Sequence, residues 1–283
     1  MSARRHRDRP KRRTRWHDPV LVVPPAVERV YSSLMPTIPT VVAELIEHLS
    51  KLGIYPPLVK PVAAERLIHG TAFFPGGLGL WSPGGVAAPL PQRPIVIVGH
   101  NWGTPRDHDW AYGEGSEYEE RWPESQRRKC ATWWNLLPIL RGAGIGLEQC
   151  YFTNAYMGLK GDSHSNVGPL CSNEDFDRRC REFLSVQLRI LQPSMVVTLG
   201  SEARKMLAGL FVEHPTWRGP RGGYRGMVQL RKAGIDLASR RDEKRPFVYA
   251  VIAHPCDPRN LSTGFTEEIL LLKRALTMVP IDM

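Results

Sequence analysis

The chain has 283 residues, 42% of them hydrophobic, with 38 Lys and Arg against 28 Asp and Glu for a formal charge of +10. That is enough apolar material for a substantial core, and one large domain is favoured over two small ones. No apolar run approaches the roughly 18–20 residues a membrane span needs. Five cysteines at irregular spacing (Cys130, Cys150, Cys171, Cys180, Cys256) form no even disulfide framework, so reduced thiols and a cytoplasmic protein are expected.

The first segment, residues 1–17, carries eight Lys or Arg and one acid, Asp8, for a net of +7. Residues 18–283 are left with 30 basic and 27 acidic side chains, a net of +3. The tail is polar and self-repelling, and disorder is expected there. Arg4 to Arg15 is followed by no apolar stretch of the kind a secretory signal carries. Such a tail suits polyanion binding through counterion release, or serves only to keep the chain soluble.

Residues 18–92 read as an N-terminal extension. Pro19 to Pro39 is punctuated by proline, and Thr40 to Leu52 predicts one helix. Its stripe is Val41, Val42, Leu45, Ile46, Leu49 and Leu52, with Gly53 as stop. Tyr55 to Pro94 is rich in Pro and Gly and reads as irregular.

From residue 93 to the end the pattern changes. Ile95 to Val98 predicts a strand ending at Gly99, Glu124 to Leu140 a helix, and Cys150 to Thr153 a second strand. Ser172, with Asp175 as capping-box partner, opens a helix whose stripe is Phe176, Cys180, Phe183, Leu184, Gln187, Leu188 and Leu191. Met195 to Leu199 predicts a strand, Ser201 to Phe211 a helix, Phe247 to Ile252 a strand and Thr266 to Met278 a helix. Strands apolar on both faces, alternating with helices, predict an α/β fold: a short central parallel sheet covered on both sides, in three α/β/α layers. In such sheets the working loops follow the carboxyl ends of the strands, here opening at Gly99, Asn154, Gly200 and His254.

Those loops carry amides and a histidine. The first reads Gly99-His100-Asn101-Trp102-Gly103, the second Thr153-Asn154-Ala155, the last His254-Pro255-Cys256-Asp257-Pro258-Arg259-Asn260. The set does not suit a metal, which wants His, Cys and carboxylate together. No GxxxxGK[ST] phosphate loop occurs. Convergent amides suit the hydrogen-bonding edge of a planar polar ligand such as a nucleobase. Each residue also has a structural reading: Asn101 as a turn residue, Asn154 as a backbone partner, His254-Pro255 as a rigid turn. A Cys256 nucleophile served by His254 is disfavoured, because Pro255 separates them and no orienting third group is evident.

Taken in order, these motifs resemble the uracil-DNA glycosylase superfamily, most of all its single-strand-selective and mismatch-specific branches. Gly99, Asn101 and Gly103 match G-x-N-P-G with Trp102 at the proline position, and Tyr112-Gly113-Glu114 matches the aromatic-Gly-Glu that follows. Asn154 matches the strand-end Asn. Pro193 to Gly200 resembles P-x-x-V-x-x-L-G, and His254 to Asn260 resembles H-P-S-P-R-N with one residue inserted. The resemblance covers roughly residues 93–278.

It implies a monofunctional hydrolase of the N-glycosidic bond, acting in base excision repair on uracil or a related deaminated base flipped out of DNA. In the roles it implies, Asn101 holds the water and His254 stabilises the leaving anion, as catalytic residues. Asn154, Tyr112, Gly99 and Gly103 bind the base, and Arg259, Asn260, Arg221 and Arg225 meet the DNA. The expected partner is single-stranded or damaged duplex DNA, the expected state a monomer. No cofactor or metal is expected, and without any CxxC no iron–sulfur cluster. A rival reading on the same fold is a catalytically weak binder of modified or single-stranded nucleic acid. Two charged stretches flank the motifs: residues 106–124 with a net of −5, and residues 214–245 with a net of +6 and interleaved glycines, a candidate loop for tracking a nucleic-acid backbone or an ordinary solvated insertion.

Overall fold

The computed structural model describes residues 40, 44, 45, 48, 90–100, 131–156, 174–207, 238–240, 247–255 and 265–279. All of these fall within the unit Met35–Met283. The basic tail, the acidic stretch 106–124, Ser172 and most of the stretch 214–245 lie outside the described residues.

Five strands build one sheet: β1 (Ile95–Gly99), β2 (Cys150–Asn154), β3 (Met195–Leu199), β4 (Ala238–Arg240) and β5 (Val248–Ile252). Their order across the sheet is β2-β1-β3-β5-β4. The first four are parallel, with Ile95 opposite Cys150 and Met195, and Met195 opposite Val248. Every residue of these four strands is buried, which explains their largely apolar sequences: each must satisfy a packed layer on both faces. The short edge strand β4 runs antiparallel to β5, pairing Ala238 with Ala250 and Arg240 with Val248. It lies in the stretch read from sequence as loop. Ala-Ser-Arg carries no strand signal of its own and acquires strand geometry by pairing with β5.

Among the described residues four helices pack on the sheet: α1 (Ala131–Ala143), α2 (Glu174–Leu191), α3 (Gly200–Leu207) and α4 (Thr266–Met278). One face presents Ile95, Ile97, Cys150, Phe152, Met195, Val197, Val248 and Ala250 to Leu136, Ile139 and Leu140 of α1 and to Leu272 and Ala275 of α4. The opposite face carries Tyr151 and Thr153, whose hydroxyls donate to Gln187 Oε1 of α2 at 3.3 and 2.9 Å. Gln187, the one polar member of the α2 stripe, is therefore the acceptor for two buried hydroxyls. The chain has an α/β fold with a small, mostly parallel sheet and helices on both of its faces.

Helix ends follow local chemistry. α1 runs three residues beyond the expected end at Leu140, because its stop is Gly144 at φ +82°. Gly144 N donates to Arg141 O at 3.0 Å and Ile145 N to Leu140 O at 2.9 Å, the two bonds of a Schellman closure. Gly142 lies inside the helix, where Ile269 of α4 packs so closely that a Cβ would stand 2.8 Å from its Cδ1. Asp175 accepts from Arg178, three residues along α2. In the N-terminal extension, Thr40 N and Oγ1 donate to Glu44 Oε2 at 2.9 and 3.1 Å, residues 44, 45 and 48 are helical, and Leu45 of the expected stripe is fully buried. Thr40 O accepts from Leu90 N at 2.9 Å, tying this segment to the chain that leads into β1.

Candidate functional site

The strand order creates a switch point. The chain leaves β1 for β2 on one side and, after crossing to β3, continues to β5 on the other. In open α/β sheets ligands bind beyond the carboxyl ends of the strands at such a point. Gly99 ends β1, Asn154 ends β2, Gly200 follows β3, and His254 stands two residues beyond β5. All four positions singled out from sequence thus lie at one end of the sheet.

Asn154 is the most informative of them. It pairs in register with Gly99, which contributes no side chain beside it. The ladder continues past the strand ends, with Ala155 N donating to Gly99 O at 2.9 Å and Tyr156 N to His100 O at 2.8 Å, so the backbone is tied to the β1 segment both before and after Asn154. The residue is fully buried, yet neither Oδ1 nor Nδ2 has a hydrogen-bond partner among the described residues. Leaving one such group unsatisfied costs about 1–3 kcal/mol. A buried amide held rigid, with donor and acceptor both open, is the arrangement that recognises a ligand edge carrying the complementary pair.

His254 is half-buried and approached from two sides. Gly200, at φ +84°, passes so close that a Cβ there would stand 3.2 Å from His254 Cβ. From α1, Asn135 Nδ2 donates to Pro255 O at 2.8 Å, a buried bond between residues 120 apart in the chain. Asn154 and His254 are separated by three strand steps, roughly 14 Å at about 4.8 Å per step. That span admits a planar ring between side chains at the two ends. His100 and Tyr156 meet edge to face at this same end, ring centroids 5.5 Å apart.

Of the residues assigned from sequence, Gly99, Asn154 and His254 are described and share the carboxyl end of the sheet. Asn101, Gly103, Tyr112, Arg221, Arg225, Arg259 and Asn260 lie outside the described residues, as does Cys256. Sequence reasoning missed Asn135, whose only signal is an amide beside the apolar stripe Leu136, Ile139, Leu140. It missed Tyr156 as well, since an aromatic two residues past a strand has no distinctive pattern. Cys150, at the opposite end of β2 from Asn154, is a free buried thiol donating to Gly146 O at 3.4 Å. Burial first, and then the nearby Glu148 carboxylate, push its pKa up to about 12, so it is neutral and unreactive in the folded chain. Among the described residues no group of three or more His, Cys, Asp or Glu side chains is placed to hold a metal ion, and no helix is long and apolar enough to cross a membrane.

No protein-family model matches the chain, and no curated protein matches it.

Proposed function

We propose that the chain is a DNA glycosylase that hydrolyses the N-glycosidic bond of uracil or a related deaminated base flipped out of DNA, on a three-layer α/β/α fold of the uracil-DNA glycosylase type. The observation that carries this reading is Asn154: a fully buried strand-end amide, at the switch point, with donor and acceptor both unpartnered among the described residues.

The chemistry follows from the base. Uracil presents an N3–H donor beside an O4 acceptor, and the Asn154 amide supplies the complementary acceptor and donor. Cytosine reverses both and would leave two buried groups unpaired, which discriminates strongly. As the glycosidic bond breaks, its electron pair moves onto the base while positive charge spreads over the sugar. His254 donates a hydrogen bond to the developing anion at O2, in the manner of an oxyanion donor. Asn101 holds the water that adds to C1′, leaving free base and an abasic site. An amide is a poor general base, so turnover is slower than with a carboxylate there. Tyr112 stacks on the ring, Gly99 and Gly103 leave room for it, and Arg259, Asn260, Arg221 and Arg225 meet the phosphates and the gap in the stack. The protein works on DNA as a soluble cytoplasmic monomer.

Trp102 and the net of −5 over residues 106–124 favour the second reading, a binder of modified or single-stranded nucleic acid with little turnover. One assay separates the two. Oligonucleotides containing uracil, hypoxanthine or xanthine, single- and double-stranded, are incubated with enzyme in excess and then treated with alkali. Strand breaks at the modified base support the glycosylase; retention of these oligonucleotides without breaks supports the binder.

A further inference from the structure

We infer that Asn135 is a positioning residue for His254, holding the turn that carries the imidazole in its working place. The inference rests on the glycosylase reading of His254 and extends it to α1. Asn135 is buried on α1, adjacent to Leu136 of the sheet-facing stripe, and its amide reaches Pro255 O at 2.8 Å. Pro255 follows His254 directly, so this bond fixes the carbonyl of the residue next to the histidine on its carboxyl side. On the other side Gly200, at φ +84°, comes so near that a Cβ on it would stand 3.2 Å from the His254 Cβ and 3.6 Å from its backbone nitrogen. The turn is thus clamped between a helix donor and a glycine at the end of β3, within a segment that has left the ladder of β5. A strand-end histidine that must meet one developing anion needs such fixing, because a misplacement of about 1 Å can cost on the order of 100-fold in rate.

The bland account of the same bond is that a buried carbonyl needs a donor and any donor would do. The two accounts differ in what moves when the bond is lost. Asn135→Asp keeps volume and shape but, when ionised, offers no donor. The protein is labelled with 15N at its nine histidines, and the His254 imidazole signals are identified by their loss in His254→Ala. The expected result for Asn135→Asp is displaced His254 signals, with kcat on uracil-containing DNA lowered about 10- to 100-fold and KM nearly unchanged. Asn135→Gln, which restores a donor, returns part of the kcat. Should Asn135→Asp fail to fold, Asn135→Ser takes its place, with the same displacement of the His254 signals expected. Unmoved His254 signals in the folded variant, or a kcat loss no larger than its loss of stability explains, overturn the proposal. A wild-type protein that makes no abasic sites overturns the glycosylase reading instead, and the histidine signals then still decide whether Asn135 positions His254.

Discussion

His254 leaves no room for a side chain on Gly200 at the carboxyl end of the sheet: a Cβ on Gly200 would stand 3.2 Å from the Cβ of His254 and 3.6 Å from its backbone nitrogen. The backbone at Gly200 is left-handed, φ +84°, so an L side chain is strained there whatever the space. Gly200→Ala is expected to lose about 1–2 kcal/mol from the dihedral alone, read as a lower urea midpoint. Because the new methyl presses on His254, base release should fall by more than the stability loss explains.

Asn154→Leu tests the site from the opposite direction. A structural asparagine loses stability when its amide is removed. An amide buried without partners among the described residues gains, here by about 1–3 kcal/mol, since the near-isosteric Leu removes the unsatisfied groups. Urea unfolding should therefore show a more stable protein, the usual sign of a residue kept for function. A destabilised Asn154→Leu would assign the amide to structure.

Gln187 is expected to behave in the contrary way. Gln187→Leu leaves the Thr153 and Tyr151 hydroxyls without the acceptor seen at 2.9 and 3.3 Å, inside a fully buried layer. A loss of about 2–4 kcal/mol is expected. Adding Thr153→Val should recover part of it, and a double-mutant cycle measures the coupling.

Cys150 gives a pH signature. Its thiol is raised from 9.0 to about 12 in the folded chain. Between these values the unfolded state has lost the proton and the folded state has kept it, so this group's contribution to stability falls as pH rises from about 9 toward 12. Cys150→Ala should flatten that part of the profile. In native protein at pH 8, alkylation followed by peptide mapping should find Cys150 and Cys180, both buried, unmodified until denaturant is added.

The parts of the fold legible in the sequence were those whose boundaries coincide with a change of chemistry. β3 lies between Pro193 and Gly200, and α4 follows a break before Thr266; both occupy the expected residues, Met195–Leu199 and Thr266–Met278. α1 runs past its expected end at Leu140 because Gly142 is accommodated inside the helix against Ile269, and the chain turns only at Gly144. β4 was invisible because its strand character comes from β5. The placement of Asn154 and His254 at the carboxyl end of the sheet was legible because one ends an apolar strand and the other follows one by two residues. Asn135 was not: its partner carbonyl is 120 residues away, and no local pattern encodes such a bond.

The central claim is that Asn154 reads a deaminated base which the protein then releases. The direct measurement is alkali-labile site formation in a single-stranded uracil oligonucleotide, wild type beside Asn154→Leu, with the enzyme in excess. The account predicts breaks at the uracil with wild type and almost none with the folded, more stable Asn154→Leu. Intact oligonucleotide with wild type, or equal cleavage by both proteins, would contradict it.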